Sequence, residues 1–587
     1  MPDGGFADVR TAVVTGWALT AAVLCAVLWP AIANLRFPDP DDAMRLLQVR
    51  DWLGGQSWWD VTQYRLNGGD FPMHWSRLVD LPIAGALLIL DPLVGPALAD
   101  RIAGTIVPLL TLLAAVGLVA ELTRRLADAE TARLSVLLAP LSIPFVFQLR
   151  PMRIDHHGWQ IVLALAAALP LFAPPTRRNG AISGLALALL VSVSLEGLPI
   201  ATALVAVPAL AWVGDRHRRG FFLAQVRTFL GAALALHLAT RGPGALQVAC
   251  DAMSPPWLAA LAAGAIFAAI VPGRFVTDFR ARLAVLAVAG AAAAGVLLAT
   301  APQCLAGPFA TLSPVVRELW YESVMEGLPI WKQSPAAVAA TLALPAIGLF
   351  GSWRGWRMAS GSARERWLVA MTLTASAMVI AMLVNRASAT ANALALPGAA
   401  VLALELLRRA RQVERPGRRT LATLGALAVG SPGLFLVPAI YAVSPAIAQP
   451  SAGLAAGGSR PLCSVVEDVD ALAALPPSRL FAPLHVTPEI LVRTRHQAIA
   501  SGYHRNADAI GLVMSAFLAE PDAARVMVAQ TGANFVVGCP GAVETELYKA
   551  RAPQGLWARL ERGERITWLQ PVPMPGSPVL AWRVVRR

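Results

Sequence analysis

Two polar stretches interrupt an apolar chain, and their residue types are those of metal and phosphate chemistry. The first is Asp39-Pro40-Asp41-Asp42-Ala43-Met44-Arg45, continued at Met73-His74-Trp75-Ser76-Arg77-Leu78-Val79-Asp80. The second is Arg150-Pro151-Met152-Arg153-Ile154-Asp155-His156-His157. Acids held against a bilayer are costly unless they bind a cation or do chemistry. An Asp beside two His offers donors suited to Mg²⁺, Mn²⁺ or Zn²⁺. Such an ion facing a lipid-linked phosphate would neutralise charge on a leaving group. Both stretches also have a structural reading, with the first acids capping a surface helix over 43–52 and Asp155 capping the span that follows. Taken together, the acids and the His-bearing segment favour a metal.

Three further groups could take part. Glu326, in Ser323-Val324-Met325-Glu326-Gly327-Leu328-Pro329, is a candidate ligand or acceptor contact, or one face of an amphipathic surface helix. Arg386 stands in a short turn where it could snorkel to headgroups or clamp a lipid phosphate. Near the C-terminus Tyr503, His504 and Arg505 form a polar run that could line an acceptor groove or be a solvated loop. Glu196, before Gly197-Leu198-Pro199, reads as a loop residue.

The elements that must carry these residues are membrane helices. Of 587 residues 56% are hydrophobic and 14% charged, and a mean hydropathy of +0.57 excludes a soluble globule. Apolar runs predict spans near 12–33, 99–122, 131–148, 158–174, 180–197, 198–213, 221–238, 257–272, 283–301, 335–351, 367–384, 391–407 and 420–444. The net charge of +13 is carried by Arg clusters between these runs, so it reports topology rather than nucleic-acid binding. The clusters alternate to one side, which the positive-inside rule makes cytoplasmic. That parity requires 81–98, broken by Asp91-Pro92, to be interfacial or re-entrant. It places loops 34–98, 149–157, 302–334 and 385–390 outside, with the N-terminus inside and the C-terminus outside. The first span reads as a retained anchor, since no small-residue cleavage site closes it.

The expected fold is a polytopic α-helical membrane protein of thirteen spans with a small C-terminal α/β domain. Residues 1–446 form the membrane unit, 447–460 a Gly/Pro/Ser/Ala linker and 461–587 the outer domain. That domain combines strand-like runs at 534–537 and 579–582 with helical ones at 509–519 and 521–530. Cys463 and Cys539, and Cys250 and Cys304, fall on the outer side, where an oxidising compartment would allow each pair to form a disulfide.

The chain resembles the catalytic subunits of oligosaccharyltransferases, the family of bacterial PglB and archaeal AglB among the C-type membrane glycosyltransferases. Asp39-Pro-x-x-x-x-Arg45 is similar to the family's first acidic motif, and His74-Trp75-x-x-Leu78-x-Asp80 to the segment that follows it. Asp155-His156-His157 is similar to the archaeal form of the second acidic motif, and Ser323-Val324-x-Glu326-x-x-Pro329 to a later one. Arg386 sits where the family places a phosphate-binding Arg. The resemblance covers roughly 12–445.

The resemblance implies catalysis by Asp39, Asp155 and Glu326; Asp41 and Asp42, candidates by residue type, have no strict counterpart in the family's motif, and which acid of the trio binds stays open. It places a divalent metal, Mg²⁺ or Mn²⁺, on Asp39, Asp155 and His157 with His74 close by. Arg386, helped by Arg150 or Arg153, would bind the donor phosphate, and Asp39 could serve as the acceptor's base. The implied reaction is inverting transfer of a sugar from a polyprenyl-phosphate or -diphosphate to a glycolipid, polysaccharide or protein. It would occur at the periplasmic face of a bacterial inner membrane, without nucleic acid as a partner. One departure matters: the family's acceptor-reading Trp-Trp-Asp is absent from the C-terminal domain and occurs only as Trp58-Trp59-Asp60. The alternatives are a true Asn-linked oligosaccharyltransferase and, in another class, a flippase or transporter of lipid-linked sugar. The second would place ionisable residues within its spans, and these are nearly free of them.

Overall fold

The computed structural model describes residues 4–443 and 463–585; the expected linker at 447–460 lies outside the described residues. Each expected span is helical over most of its length. Eight helices among the described residues are long and apolar enough to cross a membrane. Two shorter apolar helices, His157–Phe172 and Pro255–Ile270, accompany them, and Pro416–Gly430 and Pro432–Ala442 form a pair bent by 98°. The protein is a multi-pass membrane protein.

Helices pack closely where side chains vanish. A Cβ on Gly351 would lie 2.0 Å from the Gly398 carbonyl oxygen, so Pro335–Met358 and Ser388–Arg411 touch backbone to backbone. Small residues allow this approach in a setting where dispersion rather than the hydrophobic effect holds helices together. Helix Ser388–Arg411 is buried along nearly its whole first half, from Ser388 to Ala400. It forms the axis of the bundle.

The two ends of the bundle differ. At one end Arg133 pairs with Asp8, Arg408 with Glu130, Arg218 with Glu365 and Arg354 with Glu405. These contacts gather the Arg clusters and the start of the first helix at one end. The motif residues meet at the other.

There the chain leaves its first helix and forms a surface helix, Pro40–Leu53, capped by Asp39 and begun by Pro40. Arg45 and Gln48 on this helix bind the two oxygens of buried Asp80, at 2.9 and 2.7 Å. Arg50 binds Asp91 and Asp100, each at 2.5 Å. Asp80 and Asp91 lie near opposite ends of helix Arg77–Val94. Both ends of that helix are therefore tied to helix Pro40–Leu53.

The C-terminal domain is a five-stranded sheet in the order β2-β1-β3-β5-β4. The strands are β1 Arg479–Phe481, β2 Gln497–Ala498, β3 Phe535–Gly538, β4 Leu569–Val572 and β5 Leu580–Val584. β1 is parallel to β2 and β3, while β5 is antiparallel to β3 and β4. Helices Ala507–Leu518 and Pro521–Gln530 match the expected ones. Leu312, Val316 and Leu319 of segment 302–334 pack into its core. Arg65 donates to the Leu491 and Thr494 carbonyls and joins the domain to the first outer loop. Both expected disulfides, Cys250–Cys304 and Cys463–Cys539, are formed.

Candidate active site

Four carboxylates from three loops surround one guanidinium. Arg153 Nη1 lies 3.0 Å from Asp42 and 3.3 Å from Asp39, and Nη2 lies 3.0 Å from Asp155 and 3.9 Å from Glu326. His157 Nε2 stands 3.6 Å from Asp155 Oδ2 and 3.7 Å from Glu326 Oε2. Glu326 Oε1 in turn meets Arg386 Nη2 at 3.3 Å.

The structural and chemical readings of the two acidic motifs hold together. Asp39 Oδ1 accepts from the Asp41 amide at 3.0 Å, capping the surface helix, while Oδ2 faces Arg153. Asp155 Oδ1 accepts from the His157 amide at 2.9 Å in a turn one residue ahead of the N-cap His156 of helix His157–Ala168, while Oδ2 turns to Arg153 and His157. Each amide contact fixes one oxygen and so aims the other. Asp155 Oδ2 is buried and receives no hydrogen bond.

That oxygen, ion-paired with Arg153, stands with Asp39 Oδ2, His157 Nε2 and Glu326 Oε2 around the guanidinium, and these are donor types suited to a divalent cation; beside them His156, His157 and Glu196 bring three donor atoms within 4.8 Å of one another. Burial pushes the Asp155 carboxyl up, but Arg153, His157 and His156 outweigh it and hold the group below the usual carboxylate range. Burial likewise opposes Glu326, yet the His157 hydrogen bond with His157, Arg386 and Arg153 as charges lowers it to about 2. Both are anions, the state a metal needs. Asp41 goes the other way: burial, then Asp39, Glu326 and Asp155, raise it well above the usual range.

Several expected residues have other duties. Asp42 is fully buried and accepts from the Ile154 and Asp155 amides at 2.7 and 2.9 Å, besides Arg153. With both oxygens engaged by protein donors and the side chain out of solvent, it orients the second motif rather than meeting substrate. Arg153, expected to help with the donor phosphate, is the counter-ion of the acids and donates through Nε to Gln148. Arg150 stacks 4.1 Å from the Phe147 ring centroid. His74 is drawn into a second cluster with Asp251 and His504, whose ligand atoms lie within 4.8 Å of one another. Burial lowers its pKa, against the pull of Asp251.

Among the acceptor candidates, Tyr503 is buried against Trp75, ring centroids 5.3 Å apart, and its hydroxyl is raised by burial and by the charges of Asp41 and Asp39. His504 and Arg505 are engaged by Asp251, at 2.8 and 2.7 Å, so they dock the C-terminal domain on loop 245–254. Trp58 and Trp59 both donate to the Ala239 carbonyl, which uses the displaced Trp-Trp-Asp as a structural anchor.

Glu196 and Asp251 were not legible as site residues. Glu196 accepts from Arg386 Nη1 through one oxygen and lies 3.2 Å from His156 Nε2 through the other. Its one signal in the sequence is a lone acid at the end of an apolar span. Both acids line a cavity of about 450 Å³ that opens beside the carboxylate cluster, with His74, His156, Arg241 and Arg386 also on its wall.

This architecture is the fold of solved membrane oligosaccharyltransferase structures. Among solved structures, the chain is similar to the archaeal oligosaccharyltransferase AglB of Archaeoglobus fulgidus, in complex with an inhibitory peptide and a dolichol-phosphate. That match has a TM-score of 0.65 and 15% identity, over 95% of this chain and 72% of the other. An Archaeoglobus fulgidus oligosaccharyltransferase tethered with an acceptor peptide containing the NVT sequon matches at TM-score 0.59 and 13% identity, over 98% and 74% of the two chains. The complex of that enzyme with Zn and sulfate matches at 0.59 and 13%, over 97% and 73%. No protein-family profile matches the sequence, and no curated protein does.

Proposed function

We propose that the protein is a metal-dependent, inverting glycosyltransferase. It moves a sugar from a polyprenyl-phosphate or -diphosphate carrier to an acceptor at the face of the membrane opposite the Arg clusters. The carrying observation is the division of labour in Asp39 and Asp155. Each fixes one oxygen on a backbone amide and turns the other to Arg153, in a cluster with His157 and Glu326 that adjoins the cavity wall through Arg386 and His156. A structure of the same fold with a dolichol-phosphate, and another with Zn and sulfate, support a lipid-linked donor and a metal.

Asp39, Asp155, His157 and Glu326 would hold Mg²⁺ or Mn²⁺, with His74 farther along the cavity wall. A bound divalent cation would neutralise the charge that gathers on the departing phosphate. Arg386 and His156 bind a phosphate oxygen, and the buried setting strengthens that contact. The acceptor's nucleophilic atom attacks the anomeric carbon opposite the phosphate. The carbon–oxygen bond to phosphate breaks, its electron pair leaves with the carrier, and the acceptor's proton passes to Asp39. Attack from the opposite side inverts the anomeric centre. Asp42 and Arg153 position the two motifs, and Tyr503, with His504 and Arg505 behind it, borders the acceptor side.

The acceptor is a glycolipid, polysaccharide or protein other than a sequon read by a C-terminal Trp-Trp-Asp, because this chain's Trp pair is spent on Ala239. The site faces the periplasm of a bacterial inner membrane, with the N-terminus cytoplasmic. Replacing Asp39 or Asp155 by Ala abolishes sugar transfer by purified protein; wild-type rates in both variants would remove this assignment.

A further inference from the structure

The anion seat of this site already contains an anion. Arg386 is clamped between Glu326 on Nη2 and Glu196 on Nη1, and Glu196 extends its second oxygen to His156. Helix Leu198–Gly214 begins just after Glu196, and the short turn Leu195–Gly197 is capped by the Ser194 hydroxyl, so the carboxylate is held in place by local backbone. About a third of its side chain (34%) remains exposed, and it faces the cavity. A guanidinium at the edge of the membrane needs a counter-ion, and Glu196 supplies one when no phosphate is bound.

We infer that Glu196 discriminates between the sugar-loaded carrier and the spent carrier, and thereby drives product release. The inference rests on the donor being a lipid phosphate. A sugar phosphodiester carries one negative charge. Breaking the anomeric bond leaves a phosphate monoester that approaches two. A purely cationic seat would hold the product more tightly than the donor and stall. A fixed carboxylate beside the seat opposes each ligand in proportion to its charge, so its penalty falls harder on the product. On departure of the phosphate, Glu196 regains Arg386 and His156. A diphosphate carrier obeys the same arithmetic with one more charge on each side.

The test is calorimetric binding of two probes to the full-length protein in detergent with Mn²⁺ at pH 8. One probe is a short-chain polyprenyl monophosphate and the other is its methyl phosphodiester. Glu196→Gln keeps shape and hydrogen bonding to His156 while removing the charge. It should tighten the monoester about tenfold and the diester about threefold or less, because repulsion scales with ligand charge. Glu196→Asp, which withdraws the carboxylate from Arg386, should move the monoester in the same direction and serves if the Gln variant unfolds. Arg386→Gln should weaken both probes. No tightening in either Glu196 variant, or equal tightening of both probes, overturns the inference while leaving the lipid-phosphate reading intact. If the wild type binds neither probe and Arg386→Gln changes nothing, the lipid-phosphate reading falls and takes the inference with it.

Discussion

Asp42→Asn separates an orienting acid from a metal ligand. Asp42 Oδ1 accepts two amides, from Ile154 and Asp155, and Oδ2 accepts Arg153 at 3.0 Å, with the side chain fully out of solvent. Asparagine retains the oxygen that takes both amides. Its NH₂ group then confronts the Arg153 N–H, donor against donor, at a buried position. The loss is one charge-assisted hydrogen bond, about 1.5–3 kcal/mol. Arg153 keeps Asp39 and Asp155, so the protein still folds. Asp155 is displaced through the 153–155 backbone, and metal affinity drops about 10- to 100-fold, as for other residues that hold ligands in place. Mn²⁺ titration calorimetry on the purified variant reads this directly, beside Asp155→Asn, which should lose binding altogether. Wild-type affinity in Asp42→Asn would refute the orienting role. Complete loss, equal to Asp155→Asn, would make Asp42 a ligand and refute it from the other side.

Other consequences follow from the same contacts. Glu544 accepts the Leu484 and His485 amides, His485 Nδ1 and the Tyr548 hydroxyl. Burial raises its pKa, but the His485 hydrogen bond and charge, with Tyr548, hold it below the ordinary value. Its stabilisation is therefore full above the unfolded carboxyl value near pH ~4.3 and is lost as pH falls through the folded one. Hydrogen-exchange protection factors over 484–548, taken relative to the intrinsic rate at each pH, should fall on acidification, and Glu544→Gln should flatten that dependence. Gly351→Leu should lower thermal stability by about 3 kcal/mol or more, since its Cβ would meet the Gly398 carbonyl at 2.0 Å; an unchanged melting temperature would deny the close helix contact. Replacing Cys250 and Cys304 by Ser, which opens a link across 54 residues, should cost roughly 2–4 kcal/mol. Arg505→Ala removes a bidentate partner of Asp251 and should raise protease sensitivity at the junction of the C-terminal domain and loop 245–254.

The membrane helices were legible because long apolar runs have few alternatives, and the Arg clusters do gather at one end of the bundle. Charge parity alone makes 81–98 interfacial or re-entrant; the Arg50 contacts to Asp91 and Asp100, which tie this segment to helix Pro40–Leu53, have no signal in local sequence. The acidic motifs were legible as residue types, but capping and chemistry looked like competing explanations. Asp39 and Asp155 each give one oxygen to a backbone amide and the other to the cluster, which no reading of residue identity can resolve. Arg153 looked free for phosphate because its four carboxylate neighbours come from segments more than a hundred residues apart in sequence or hidden within its own motif. Glu196 and Asp251 were missed for the same reason: each is a single acid whose partners, Arg386 and Arg505, are supplied by distant chain. The share of loop 302–334 in the C-terminal core is likewise a long-range packing fact with no local periodicity to betray it.

The central claim is metal-dependent transfer at the Asp39–Asp155–His157–Glu326 cluster. The measurement that meets it most directly is label transfer by the purified protein in nanodiscs. It uses an envelope extract containing radiolabelled polyprenyl-linked sugars, with EDTA, then with Mn²⁺ restored, and with Asp155→Ala in parallel. The account predicts labelled product that disappears with EDTA, returns with Mn²⁺ and is absent in Asp155→Ala. Transfer that persists in EDTA, or in the Asp155 variant, would contradict it.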